Sequence, residues 1–402
     1  MTDDLRARAE ELDARDPLRA RRDDFLPMGD VVAYLDGNSL GRPLRAAQEQ
    51  LAAFVEGPWA DRLIRSWDEG WMDWPSLVGD QLGRVCLGAA PGQVVVADST
   101  TVLLYKLARA AVDARPDRRE VVVGSDDFPT DRYVLEGIAR ERGLTLRWVD
   151  TDADLGVTLE HVAAAVGPAT ALVVLSHVSY RSSYVADLAA VAAVVHEAGA
   201  LLLADLCHSV GVLPLSLDAW GVDLAVGCGY KYLNGGPGAP AFAYVRAGLD
   251  VQQPVWGWMG RADPFAMAPG YQPAPGTRQL VSGTPPVLAM VPLRAALDQL
   301  EQVGVAAVRE KALQLTGFAL ALADAWLEPA GVRVASPRDP ALRGGHVTLC
   351  REDFRAVTAA LWERGVVPDF RNPDGIRIGL APLSTSFAEL YDGMAVLRDL
   401  AT

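Results

Sequence analysis

Cysteine and histidine are scarce, at four and five in 402 residues. None of Cys86, Cys207, Cys228 and Cys350 stands in a CxxC pair, so neither a disulfide scaffold nor a structural zinc site is expected. No apolar run approaches the ~18 residues of a membrane-spanning helix, and Leu188 to Val195 is about the longest. The first ten residues, Met1 to Glu10, hold no apolar signal core. Basic residues are outnumbered, 37 Lys+Arg against 51 Asp+Glu, and the net charge of −14 repels nucleic-acid phosphates and anionic membranes. Glycine-rich nucleotide fingerprints of the GxGxxG and GxxxxGK[ST] types follow no early strand, which argues against nicotinamide and nucleotide chemistry. A GxSxG elbow is missing too. These absences predict a reduced, cytoplasmic, soluble protein with no nucleic-acid, membrane or metal partner.

What is present is globular: 50% hydrophobic and 22% charged residues. At roughly 100–200 residues per domain the length predicts two to four domains, or one large and one small. Residues 2–22 read as an exposed, charged amphipathic helix, and Tyr34 to Gly41 as an irregular Gly/Asn-rich turn. Helical patterns follow at about 44–56 and 76–87. From about residue 94, short apolar runs alternate with helix-length segments: Val94–Val96, Glu120–Val123, Leu144–Val149, Ala171–Leu175, Ala200–Ala204 and Asp223–Val226. Such alternation implies right-handed crossovers and a mostly parallel sheet covered on both faces. Proline and glycine are dense over 254–286, as in an ordered linking loop. A helical stretch over 290–326, interrupted near Gly304, opens a smaller α+β region. Its strand-like runs lie at 331–335, 345–350 and 375–380, with helices near 352–364 and 386–400.

The strongest local signal is Gly227-Cys228-Gly229-Tyr230-Lys231-Tyr232-Leu233-Asn234-Gly235-Gly236. A lysine just past a buried strand is costly unless its charge is removed or used. A Schiff base with pyridoxal phosphate is one such use; a surface turn is the plainer one. Asp205 ends the apolar run Leu201-Leu202-Leu203-Ala204 and is followed by His208. A carboxylate there lies at the crevice where open α/β sheets bind ligands, and opposite a pyridinium nitrogen it would hold the proton in place. Alone, Asp205 reads better as a helix cap, and His208 could be a core histidine; with Lys231, a cofactor site is favoured. Ser99-Thr100-Thr101 opens a helix after a strand, which suits either a phosphate or simple capping. Phe128-Pro129-Thr130-Asp131 follows the next strand, where Phe128 could stack on a ring and Asp131 meet its polar edge.

Taken in order, Tyr34-Leu35-Asp36-Gly37-Asn38-Ser39-Leu40-Gly41, Phe128-Pro129-Thr130-Asp131, Asp205-Leu206-Cys207-His208 and Tyr230-Lys231-Tyr232-Leu233-Asn234 resemble the kynureninases. The likeness continues through Trp256-Gly257-Trp258-Met259-Gly260, Ser282-Gly283-Thr284-Pro285-Pro286 and Gly375-Ile376-Arg377-Ile378-Gly379. It implies a fold type I pyridoxal-phosphate enzyme near the class V aminotransferases, α/β, with a mostly parallel seven-stranded sheet and a small α+β C-terminal domain. The implied boundaries are 1–50 for an N-terminal arm and helix joining the small domain, 51–285 for the cofactor domain and 286–402 for the small domain. The implied reaction is hydrolytic Cβ–Cγ cleavage of L-kynurenine to anthranilate and L-alanine.

The resemblance also implies roles. Lys231 would carry the cofactor, Asp205 would pair with its ring nitrogen beside His208, and Phe128 would stack on it. Thr100, Thr101, Asp131, Ser176 and Tyr230 would contact it, with Tyr230 also an acid near the substrate carbonyl. Trp258 and Thr284 would complete the phosphate site of a neighbouring subunit, making a homodimer with shared sites. Arg377 would clamp the substrate α-carboxylate, with Ser39 and Trp67 near the substrate. Trp67 and Gly283-Thr284 point to kynurenine over its 3-hydroxy form. Ser384 stands where the family usually has Tyr, and Ser176 to Ser183 is a loose variant of the usual pattern. Three rivals stand beside this reading: a related enzyme with an altered kynurenine-like substrate, a class V cysteine desulfurase or lyase using a cysteine such as Cys350, and a non-enzymatic cofactor-binding descendant, against which Lys231, Asp205 and Arg377 together argue.

Overall fold

The computed structural model describes residues 2–152 and 154–402; Met1, the first residue of the expected N-terminal arm, and Ala153 lie outside them. The centre is a seven-stranded sheet in the order Val94–Ala97, Ala241–Val245, Leu224–Cys228, Leu201–Asp205, Thr170–Ser176, Glu120–Gly124, Thr145–Val149. Six of the alternating runs predict their strands to within two residues. Ala241–Val245 was not among them, and it is the strand that runs against the others. Its alanine-rich Ala-Phe-Ala-Tyr-Val run carries little strand propensity, and sheet pairing decides its state instead. The central strands are buried along their length up to Ser176, which is half-buried at its carboxyl end, because helices cover both faces, so they read as unbroken apolar runs. Register places Ser176 beside Asp205 and Asp205 beside Val226. The carboxyl ends of three neighbouring strands therefore open into one crevice.

The long C-terminal helical stretch breaks at Gly304, whose φ of +81° suits glycine, into Val287–Val303 and Val305–Leu322. A second, antiparallel sheet follows in the order Asp369–Arg371, Gly375–Gly379, His346–Cys350, Arg333–Val334. Asp369–Arg371 is a further strand the sequence did not announce. Helices Phe354–Glu363 and Phe387–Ala401 pack on this sheet through Phe354, Phe387, Leu349 and Ile376.

The helix expected over 2–22 ends at Arg15, before Pro17, and a 3-10 turn over Arg19–Asp24 follows. It is no free solvated face: Ala9 is buried and Arg6 pairs with Asp392 of the last helix. The Tyr34–Gly41 turn is more ordered than expected. Ala33–Tyr34 pairs with Val366–Val367, and Asp36 bridges to Gly379. A Cβ on Gly379 would lie 1.6 Å from Asn38 Oδ1, so only glycine lets this segment cross the second sheet.

Candidate active site

Lys231 sits in the loop that leaves strand Leu224–Cys228. Gly235 N–H donates to Gly229 O at 2.9 Å and Asn234 N–H to Lys231 O at 2.9 Å, with Asn234 at φ +52°. The loop is thus a closed turn that holds the lysine's backbone. Gly41 N–H donates to Tyr230 O at 2.8 Å, and a Cβ on Gly41 would come 2.5 Å from Lys231 O. The first chain segment is pressed onto the lysine loop. Lys231 Nζ lies 3.0 Å from His208 Nε2 and 5.8 Å from the centre of the Phe128 ring. Burial first, and then the charge of Lys231, push the His208 imidazole well below its usual range. A neutral His208 therefore faces the amine.

Asp205 and Asp131 line the same cavity as this amine, and a third carboxylate, Asp127, lies near them. Asp205 ends its strand and accepts from Cys207 N–H at 2.7 Å, which includes the local capping considered for it. Asp131 lies in the first turn of helix Pro129–Arg142, is 1% exposed, and its Oδ2 has no donor among the described residues. Burial and the nearby charges of Asp205 and Asp127 hold its carboxyl well above the usual range. Asp127 accepts from Gly124 N–H at 3.1 Å and is pushed up to about 7, mainly by burial. Sequence reasoning missed Asp127, although it directly precedes Phe128. Clustered acids with shifted proton affinities mark functional sites. A positively charged ring nitrogen would complement this acidic pocket.

Facing the acids, Thr100 and Thr101 form the first turn of the 14-residue helix Thr100–Asp113. Ser99 precedes it without making a side-chain cap, so first-turn N–H groups remain available to an anion. Thr100, Thr101, Phe128, Asp131, Ser176, Asp205, His208, Tyr230 and Lys231 all line one cavity of about 150 Å³, together with Val178 and Tyr180. An anion cradle, a free carboxylate oxygen, an amine and an aromatic ring fit pyridoxal phosphate at its phosphate, ring nitrogen, aldehyde and ring face.

Arg377 stands beside this cavity. It is 1% exposed and donates from Nη1 to Tyr180 O at 2.8 Å and from Nη2 to Ser39 Oγ at 2.8 Å. The Arg377 and Ser39 expected at the substrate are therefore in contact. Asp369 takes the other side of the guanidinium through Nε, at 2.7 Å, and Nη2. Sequence reasoning missed Asp369 and Arg371, because neither sits in a motif that suggests chemistry. Trp67, Trp258 and Thr284 do not line the cavity of their own chain. Trp67 packs edge-on against Trp71 at 5.4 Å, and Trp258 is 43% exposed. Ser384 is buried, and its backbone carbonyl accepts from Arg42 at 3.2 Å.

The remaining histidines have local explanations: His161 closes a capping box with Thr158, His196 meets buried Asp223 at 2.8 Å, and His177 packs on Trp220. His346 lies 5.7 Å from His208, ring centre to ring centre.

Comparison with known proteins agrees with this geometry. The kynureninase C-terminal domain family matches residues 308–397, and the class V aminotransferase family matches 84–349. A kynureninase from Pseudomonas fluorescens is 40% identical over 399 residues, covering 97% of this chain and 94% of its own. One from Burkholderia pseudomallei strain K96243 is 39% identical over 405 residues, covering 98% and 95%. Among solved structures, an apo cysteine desulfurase from Thermococcus onnurineus superposes with a TM-score of 0.82 at 17% identity, covering 96% of this chain and 98% of its own. A C-DES mutant with glycine covalently linked to its pyridoxal-phosphate cofactor gives 0.82 at 20%, covering 94% and 99%. At such identities the structures share the fold alone.

Proposed function

The chain belongs to the kynureninase family, and from that membership we propose how its residues divide the work. It is a pyridoxal-phosphate-dependent hydrolase of kynurenine. When bound, pyridoxal phosphate would supply an electron sink for the negative charge that develops at the substrate's Cα. Lys231 holds it and later moves the Cα proton, with neutral His208 3.0 Å away to receive or return a hydrogen bond. Asp205, backed by Asp131, keeps the ring nitrogen protonated. Thr100 and Thr101 hold the phosphate, and Ser176 and Phe128 fix the ring.

Arg377 and Ser39 take the α-carboxylate. Water adds to the γ-carbonyl, the Cβ–Cγ bond breaks, anthranilate leaves, and protonation of Cβ releases L-alanine. Burial raises the Tyr230 phenol above its ordinary range, so it stays protonated and can donate near the carbonyl. The observation that carries the reading is the meeting of Lys231, Asp205 and, through Tyr180, Arg377 at one cavity.

The cofactor-bearing residues lie within 51–285 and Arg377 within 286–402, with 1–50 as the arm, which supports that division. A homodimer is supported by an apolar surface at Trp256, Trp258, Phe265 and Met267, from 43% to 73% exposed. In that dimer Trp258 and Thr284 serve the partner's phosphate site. No helix among the described residues is long and apolar enough to cross a membrane, and all four cysteines are free and buried, which supports a reduced cytoplasm.

A desulfurase reading is disfavoured by Cys350. It is buried in a strand, and burial pushes its thiol up to about 11, the opposite of a reactive thiolate. Trp67 and Gly283-Thr284 favour kynurenine over 3-hydroxykynurenine. Measured specificity constants test this, and a higher kcat/KM for the 3-hydroxy form would overturn the preference.

A further inference from the structure

Arg377 is already bonded on nearly every side. Of its five N–H groups, Nε donates to Asp369, Nη2 to Asp369 and Ser39, and Nη1 to Tyr180 O. A single Nη1–H is left over. A substrate carboxylate that binds two-pronged must therefore displace at least one of these acceptors, and their strengths decide which yield.

Asp369 is the acceptor that stays. It lies directly across from Arg377 on neighbouring antiparallel strands, so the backbone fixes its position. Its bonds to Arg377 are charge-assisted and paired, roughly twice as strong as bonds to neutral oxygens. Arg371 adds a second cation at 2.7 Å, and Ser39 Oγ a hydrogen bond at 3.1 Å. Burial pushes the Asp369 carboxyl upward, but Arg377 and Arg371 outweigh it and hold it below the usual range. Asp369 therefore stays charged. The Ser39 hydroxyl and the Tyr180 carbonyl are neutral, and both belong to loops rather than to the sheet that carries Arg377. They yield first.

We infer that Asp369 is a positioning residue for substrate recognition: it locks the Nε edge of Arg377 so that the Nη1–Nη2 end faces the incoming carboxylate, which replaces Tyr180 O and Ser39 Oγ. This inference rests on Arg377 being the carboxylate clamp. The contrary view is that Asp369 competes with substrate for the same cation. The two views predict opposite signs for one substitution.

In Asp369→Asn the side chain keeps its shape and loses its charge. Positioning predicts a KM for L-kynurenine raised about 10- to 100-fold, with kcat within a few-fold and the cofactor's visible spectrum unchanged. Inhibition by the amine formed on decarboxylating kynurenine, which has no carboxylate, should change by less than about twofold. A merely structural defect would weaken both ligands together, and that result, like an unchanged or lowered KM, overturns the proposal. If Asp369→Asn does not fold, Asp369→Glu keeps the charge but lengthens the arm, and its KM must rise; an unchanged KM overturns the proposal. Arg377→Gln separates the premise: a KM for kynurenine that it leaves unmoved would sink the clamp itself, whatever Asp369 does.

Discussion

Replacing Lys106 by Met should weaken both the fold and the hold on phosphate. Lys106 is fully buried in helix Thr100–Asp113, and its Nζ donates to Asp98 Oδ2 at 2.5 Å, to Leu280 O at 2.6 Å and to Ser282 Oγ. One ammonium thus ties the loop before the turn proposed to bind phosphate to the segment running into Thr284. Asp98 sits at φ +45°, in the left-handed region that non-glycine residues enter only when held. Methionine keeps an unbranched side chain, one atom shorter, but leaves three acceptors without this donor. The Asp98 carboxylate is 26% exposed, so water recovers part of its loss. The carbonyl of buried Leu280 recovers little, and an unsatisfied buried acceptor costs about 1–3 kcal/mol. Together the loss should be about 3 kcal/mol, the low end of the range for breaking a buried pair. Urea unfolding of the cofactor-free protein reads this directly. Titration followed by visible absorption reads the second effect: affinity for pyridoxal phosphate should fall about tenfold, the equivalent of 1.4 kcal/mol, while pyridoxal, which lacks the phosphate, binds as before. A loss under about 1 kcal/mol, or an equal weakening of both aldehydes, would refute the reasoning.

Asp127 gives a pH-dependent prediction. Its carboxyl is raised from 3.8 to about 7, so between these values the folded chain keeps a proton that the unfolded chain has released. Folding then loses stability as pH rises through that window. Asp127→Asn removes the loss: its Tm advantage in the cofactor-free protein should be small near pH 4, grow to about pH 7 and level off above. An advantage that does not vary with pH would contradict this. A mixing experiment tests the proposed sharing of sites between subunits. Lys231→Ala and Trp258→Ala are each expected to be nearly inactive, but a mixed dimer restores one intact site and so should recover activity. No recovery after subunit exchange would place Trp258 in its own chain's site.

Much of this was legible in the sequence because buried parallel strands and motif residues leave local marks. The strands ending at Ser176, Asp205 and Cys228 are apolar runs, and their ends carry the residues that meet in the cavity. Lys231 and His208 were named from such positions and lie 3.0 Å apart. What escaped depends on distant contacts. Ala241–Val245 is a strand because two neighbours pair with it. Asp369 matters because it lies opposite Arg377 across a sheet, and Lys106 because the chain returns past it at Leu280 and Ser282. In one dimension these are an ordinary aspartate and an ordinary lysine. The end of the first helix at Arg15 was readable from Pro17; its packing against the last helix was not.

The central claim is that Lys231 holds pyridoxal phosphate for the hydrolysis of kynurenine, and the absorbance of the purified protein before and after L-kynurenine tests it most directly. The account predicts a visible cofactor band that disappears in Lys231→Ala, with anthranilate and L-alanine released in equal amounts by the native protein alone. Anthranilate released at an undiminished rate by Lys231→Ala, or no band even after pyridoxal phosphate is added to the native protein, would contradict it.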